Sequence, residues 1–184
     1  DRVQIADPES LSYVYEGVKA TRAGLKSDVP LIGFCGAPFT LASYACEGGG
    51  SKQYAHTKSL MYRDPSAWHT FMGKLVDSLS GYLVAQIDAG CQVVQVFDSW
   101  IGALGPEDYI EFAQPHSARL IAEVKAARPD VPLIHFGTGS GQILELMRDA
   151  GGDVIGVDFK TRLDAARTHL GDDQPVQGNM DPLV

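Results

Sequence analysis

The chain has 184 residues, with 15 Lys and Arg against 23 Asp and Glu, a formal charge of −8. With 45% hydrophobic and 21% charged residues, the composition is that of a folded globular protein and excludes a disordered chain. The acidic balance argues against a nucleic-acid partner, which normally meets a basic field, and no apolar run approaches the ~20 residues of a membrane-spanning helix.

Asp7-Pro8 reads as a helix N-cap followed by a first-turn proline. Leu11, Val14, Tyr15, Val18, Arg22 and Leu25 then follow helical spacing. Asp64-Pro65 repeats the device. Trp68, Phe71, Met72, Leu75, Leu79, Tyr82, Leu83 and Ile87 form the apolar stripe of that second helix, with Gly90 as its stop. A third helix is predicted from Gly105-Pro106 to about Arg128, a fourth from about Gln142 to Ala150, and a fifth over Leu163 to Leu170. Between them lie short runs rich in β-branched residues: Leu31–Cys35, Gln92–Phe97, Val131–Phe136, Val154–Val157 and Pro175–Gln177. Their near-continuous apolarity suits strands covered on both faces, and their alternation with helices predicts an α/β fold with a parallel sheet. The sequence opens straight into a helix and closes on Asp181-Pro182, a helix start with no helix after it. Both ends read as cut, so residues 1–184 are expected to be the central part of one larger domain.

Cys35, Cys46 and Cys91 are odd in number and show no CxxC spacing. Neither a disulfide framework nor a zinc knuckle is expected. Asp1-Arg2-Val3 carries no basic and apolar leader pattern, so a cytoplasmic protein is expected. His56, His69, His116 and His169 show no metal-type clustering, and His135, inside a strand, reads as a core residue. Cys35 reads as a small buried thiol.

Residues that can carry chemistry gather just after the strands, where parallel sheets bind ligands. Gly48-Gly49-Gly50 permits close backbone approach, although a bare triple glycine reads better as a surface loop. Asp98-Ser99-Trp100 puts a carboxylate and a hydroxyl at a strand end; Asp98 reads equally as a site acid or a local cap. Gly137-Thr138-Gly139-Ser140-Gly141 follows a strand, and Asp158 comes about twenty residues later. That is the spacing of a nucleotide-binding unit or of an S-adenosylmethionine methyltransferase. Two strand–helix units precede the motif, whereas such loops usually follow the first strand.

Four ordered stretches carry a more specific signal. They are Gly33-Phe34-Cys35-Gly36-Ala37-Pro38-Phe39-Thr40-Leu41 with Tyr44 and Glu47-Gly48-Gly49-Gly50-Ser51, then Gln95-Val96-Phe97-Asp98-Ser99-Trp100 with Gly105-Pro106, then Gly156-Val157-Asp158-Phe159, and finally Gln177-Gly178-Asn179-Met180-Asp181-Pro182. Together they resemble the uroporphyrinogen decarboxylase family of haem biosynthesis. The resemblance implies a (β/α)8 TIM barrel of which about five βα units are present here. It also implies a homodimer with no metal and no organic cofactor. The implied reaction removes four acetate carboxyl groups from the tetrapyrrole uroporphyrinogen III as CO2, giving coproporphyrinogen III. Tyr44 matches the family tyrosine beside the substrate, Ser99 a substrate-binding hydroxyl, and Phe34 a cleft-lining aromatic. The family's central aspartate, its arginines and a C-terminal histidine match no position in this sequence. The resemblance turns Gly137–Gly141 into a βα loop at the same face.

Two other enzyme classes make distinct predictions. Related corrinoid-dependent methyltransferases place a His-x-Cys zinc pair near the third strand's end. Here that segment reads His135-Phe136-Gly137, without the cysteine. An S-adenosylmethionine methyltransferase predicts measurable binding of that cofactor, abolished by Gly139→Val, with Asp158 placed for a ribose hydroxyl.

Overall fold

The computed structural model describes residues 3–184. A short 3-10 turn at Pro8–Leu11 leads into α1 (Ser12–Gly24), followed by β1 (Ile32–Gly36), α2 (Pro38–Glu47), α3 (Ala55–Arg63), α4 (Pro65–Asp88) and β2 (Val93–Asp98). A second 3-10 turn at Ile101–Ala103 precedes α5 (Pro106–Phe112), α6 (Gln114–Ala127), β3 (Leu133–Gly137), α7 (Leu144–Ala150), β4 (Val154–Gly156), α8 (Leu163–Leu170) and β5 (Val176–Gln177).

The sheet order is β1-β2-β3-β4-β5, and every neighbouring pair is parallel. Each crossover therefore steps one place in one direction, as in the wall of a barrel. A doubly wound sheet reverses its strand order at a switch point; the described strands contain no such reversal.

The two Asp-Pro starts form as their chemistry dictates. Asp7 accepts from the Glu9 amide at 3.0 Å and Asp64 from the Ala67 amide at 2.9 Å, and each proline fills a position whose N–H would be unpaired. The expected third helix is two helices. Pro115 has no N–H and its ring opposes the carbonyl four residues back, so the chain breaks at Ala113 (φ −123°, ψ −50°) and restarts as α6. The fourth helix begins at Leu144, two residues later than expected. Helices α2 and α3 lie where the sequence was read only for its motif. Pro38 opens α2, and Gly48, in the left-handed region at φ 73°, closes it.

Strand side chains alternate between two environments. Cys35, Val94, Val96 and Leu133 point towards the helices and pack with Leu79, Leu83, Ile87, Leu120, Ile121 and Val124. A second core holds Phe39, Met61, Trp68, Met72, Tyr109 and Phe112. Trp68 is fully buried there, and its indole N–H donates to the Phe112 carbonyl at 2.9 Å. On the opposite face Gln95 and Ile134 are buried, whereas the edge strand β1 is open: Ile32 is 43% and Phe34 58% exposed. On that face Phe34, Phe97 and Phe136 form an edge-to-face series, with ring centroids 5.6 and 5.7 Å apart.

Candidate functional site

Because the strands are parallel, their carboxyl ends gather on one side, and the residues singled out from sequence meet there. A hollow of about 490 Å³ is lined by Phe34, Gly36, Leu41, Tyr44, Phe97 and Ser99, with Thr40 beneath. Ser99 also lines a neighbouring hollow of about 300 Å³, with Tyr54, Trp100, Thr138, Lys52 and Lys160. A third, of about 320 Å³, joins at Thr138 and reaches Phe136, Asp158, Phe159 and Asn179. All three open at the strand ends. A separate hollow of about 450 Å³ lies on the helical side, between Val3 and the start of α4.

Tyr44, in the second turn of α2, presents a half-exposed ring (44%) whose edge meets Trp100 at 5.6 Å. Its hydroxyl has no hydrogen-bond partner among the described residues. Trp100 is flanked on its other side by Tyr54 at 5.8 Å. The aromatic floor of Phe34, Phe97 and Phe136 thus continues into a wall of Tyr44, Trp100 and Tyr54. Such a surface suits the face of a flat, apolar ring.

Asp98 and Ser99 divide between two faces. Asp98 is fully buried on the helix side and accepts a hydrogen bond from the Thr40 hydroxyl at 2.9 Å. Thr40 in turn accepts the Trp100 amide at 3.2 Å, and the Ala37 amide donates to the Phe97 carbonyl at 2.8 Å. These bonds tie the start of α2 to the end of β2 and fix the turn that carries Ser99 into the cleft. Burial pushes the Asp98 carboxyl up to about 7, against a smaller opposing effect of the Thr40 bond. Its second oxygen and the Tyr109 hydroxyl are both buried without partners among the described residues. Tyr109 is itself raised well above its ordinary value, first by burial and then by the nearby Asp98. Asp98 is therefore a buried support, which decides between the two readings its sequence left open. Thr40 and Trp100 are the partners sequence reasoning missed, although both lie inside the matched stretches.

The glycine loop is filled from within. Asp158 is 4% exposed; one oxygen accepts the Gly139 amide, and the other accepts from the Lys160 amide at 3.2 Å and the Thr161 hydroxyl at 3.1 Å. Gly139 adopts φ 70°, a left-handed conformation that aims its N–H at this carboxylate. An internal anion occupies the place a phosphate would take, and the acid required for a ribose is already engaged. Glu47 is likewise structural: it accepts from the Thr57 amide at 2.8 Å and hydroxyl at 2.9 Å, and the amide bond foremost holds its carboxyl below the ordinary range.

His135 is fully buried on the helix face, and burial takes it down to about 4. Cys35 is buried on the same side of the sheet, and desolvation raises its thiol far above the usual range, away from thiolate chemistry. His69 Nδ1 and His116 Nε2 lie 2.9 Å apart between α4 and α6, a pairing that sequence spacing did not show. Among the described residues no three His, Cys, Asp or Glu side chains are grouped to hold a metal.

The fold is shared with a methyltransferase from Methanosarcina mazei (TM-score 0.79, 19% identity, covering 93% of this chain and 49% of that one). It is also shared with a protein from Listeria monocytogenes described as a putative vitamin-B12-independent methionine synthase (TM-score 0.60, 16% identity, 92% and 54%). At these identities the likeness is one of fold alone. Curated relatives named uroporphyrinogen decarboxylase are far nearer in sequence. The protein of Carboxydothermus hydrogenoformans is 51% identical over 184 residues, and that of Sorangium cellulosum 50% over 185. Both alignments cover all of this chain and 52% of the relative, so the chain spans about half the length of the curated relatives it matches. The sequence model of uroporphyrinogen decarboxylase (URO-D) matches residues 1–184 throughout, and the chain belongs to that family.

Proposed function

We propose that the complete protein carrying this chain is a uroporphyrinogen decarboxylase. Residues 1–184 then form the central part of a single TIM-barrel domain in a cytoplasmic homodimer that works without a cofactor. One observation carries the reading beyond family membership: Tyr44 and Ser99, distant in sequence, stand with Phe34 around one aromatic-floored hollow at the strand ends. The open edge strand β1 supports the larger barrel. Parallel sheets are covered on both faces, and the exposed Ile32 and Phe34 await the remaining strands and the substrate.

In this reading a pyrrole ring is protonated at carbon. The bond from its acetate side chain to the carboxyl group breaks, and the cationic ring takes up the electron pair as CO2 leaves. A second proton converts the resulting exocyclic methylene to methyl, and the ring carbon then gives up the first proton to restore the neutral pyrrole, so one proton is consumed for each CO2 released. Phe34 and Phe97 pack against the ring while Tyr44 and Ser99 hydrogen-bond the substrate beside the reacting position. The carboxylate that stabilises the pyrrole cation is supplied from outside these residues. Asp98 cannot supply it, since it faces the helices at zero exposure.

Tyr44→Phe in the complete protein tests this directly. Decarboxylation should fall by at least about tenfold. The melting temperature should be unchanged, because the phenol is half exposed and bonds nothing among the described residues. Unaltered kinetics would remove Tyr44 from the site.

A further inference from the structure

Most basic side chains of this acidic protein are engaged. Arg119, Lys125, Arg128, Arg148 and Arg162 pair with carboxylates, and Lys58 donates to the Ala103 carbonyl at 2.7 Å. Lys52 and Lys160 have no hydrogen-bond or ion-pair partner among the described residues, and both line the 300 Å³ hollow beside Ser99. They come from opposite sides, Lys52 from the loop joining α2 to α3 and Lys160 from the loop after β4. Neither is adrift. The Ser51 hydroxyl accepts the Tyr54 amide at 2.9 Å, the Lys160 amide donates to Asp158, and the Lys160 ammonium lies 5.9 Å from the Phe159 ring. The acids nearest these loops are spent: Asp158 on backbone and Thr161, Glu47 on Thr57.

We propose that Lys52 and Lys160 form a clamp for peripheral carboxylates of the tetrapyrrole, setting specificity for a polyanionic substrate. The proposal rests on the reading of the adjoining hollow as the decarboxylation site. An aromatic floor beside two unpaired ammonium groups fits a ligand with an apolar centre and anions at its edge. A phosphate is disfavoured, since the backbone amide it would use at Gly139 already meets Asp158. Opposite charges across a binding surface act on encounter and affinity more than on the chemical step. The clamp therefore belongs to KM.

The test compares the complete wild-type protein with the double variant Lys52→Met, Lys160→Met and with the double Lys→Arg variant. The methionine pair should raise KM for uroporphyrinogen about tenfold, leave kcat within about twofold, and flatten the fall of kcat/KM with added salt. The arginine pair should restore KM, and melting temperatures should agree. Binding of uroporphyrin, the oxidised and unreactive tetrapyrrole, should weaken in parallel by fluorescence titration. Unchanged KM and uroporphyrin affinity in the methionine variant, with an active wild type, would overturn the clamp and leave the decarboxylation site standing. A wild type that binds uroporphyrin through these lysines yet releases no CO2 would overturn the decarboxylase reading and keep the clamp.

Discussion

Asp98 and Ser99 are adjacent in sequence and occupy opposite faces because a strand turns each successive side chain over. Ser99 enters the cleft; Asp98 enters the helical core, where water cannot solvate its charge. The folded Asp98 keeps its proton to about pH 7, whereas an unfolded aspartate loses it near ~3.9. Between those values the folded state binds more protons, so this group's stabilisation is complete below about pH 4 and is lost as pH rises through about 7. Asp98→Asn removes that dependence. Urea unfolding should show the variant gaining on the wild type from pH 5 to pH 8; a constant difference would contradict the burial argument. The pleat that decides this case was present in the Val94, Val96, Asp98 alternation. The unpartnered oxygen and its neighbour Tyr109 were not, because Tyr109 reaches Asp98 only through the packing of α5.

At the level of elements, two loops hold the cleft wall together. A Cβ on Gly102 would come within 2.7 Å of the Thr138 carbonyl oxygen and 3.0 Å of Gly139 Cα, both backbone atoms with little room to move. Gly102→Ala should destabilise the complete protein by about 1–3 kcal/mol and loosen the turn that presents Ser99. A melting temperature equal to wild type would count against close packing of the loops after β2 and β3. The α4–α6 contact carries a different dependence. Burial foremost, then the neighbouring charges of His69 and Arg119, takes His116 down to about 4, and its ring stacks with His69, which in turn stacks on Phe112. An unfolded histidine titrates near ~6.5, so the stabilisation from a neutral His116 is complete above that value and is lost as pH falls towards 4. His116→Gln should make the acid-side loss of stability shallower; an unchanged slope would contradict it. The helices themselves were largely legible, because Asp-Pro caps and 3.6-residue stripes are local signals. The break at Ala113 was written in Pro115. The His69–His116 meeting was not legible, since it depends on how two separated helices cross.

For the whole molecule, strand order was legible only as alternation of helix and strand; the stepwise sheet that distinguishes a barrel wall from a doubly wound sheet needed the pairing itself. The same pairing settles the glycine loop, since Asp158 binds it from within. The charge of −8 is compatible with the proposed anionic substrate by place rather than by total, with two unpaired lysines at the cleft and most other cations tied to the fold. The 184-residue chain alone should show no decarboxylase turnover, because the carboxylate that lines the cleft, Asp158, is spent on the Gly139 and Lys160 amides and the Thr161 hydroxyl and is not free to stabilise a pyrrole cation; turnover by pure isolated chain would refute that mechanism. The most direct measurement is the product formed when the complete protein is incubated anaerobically with uroporphyrinogen III, without added metal or cofactor. The account predicts coproporphyrinogen III with four CO2 released per substrate. Absence of that product, or its formation only when zinc and a thiol are supplied, would contradict it.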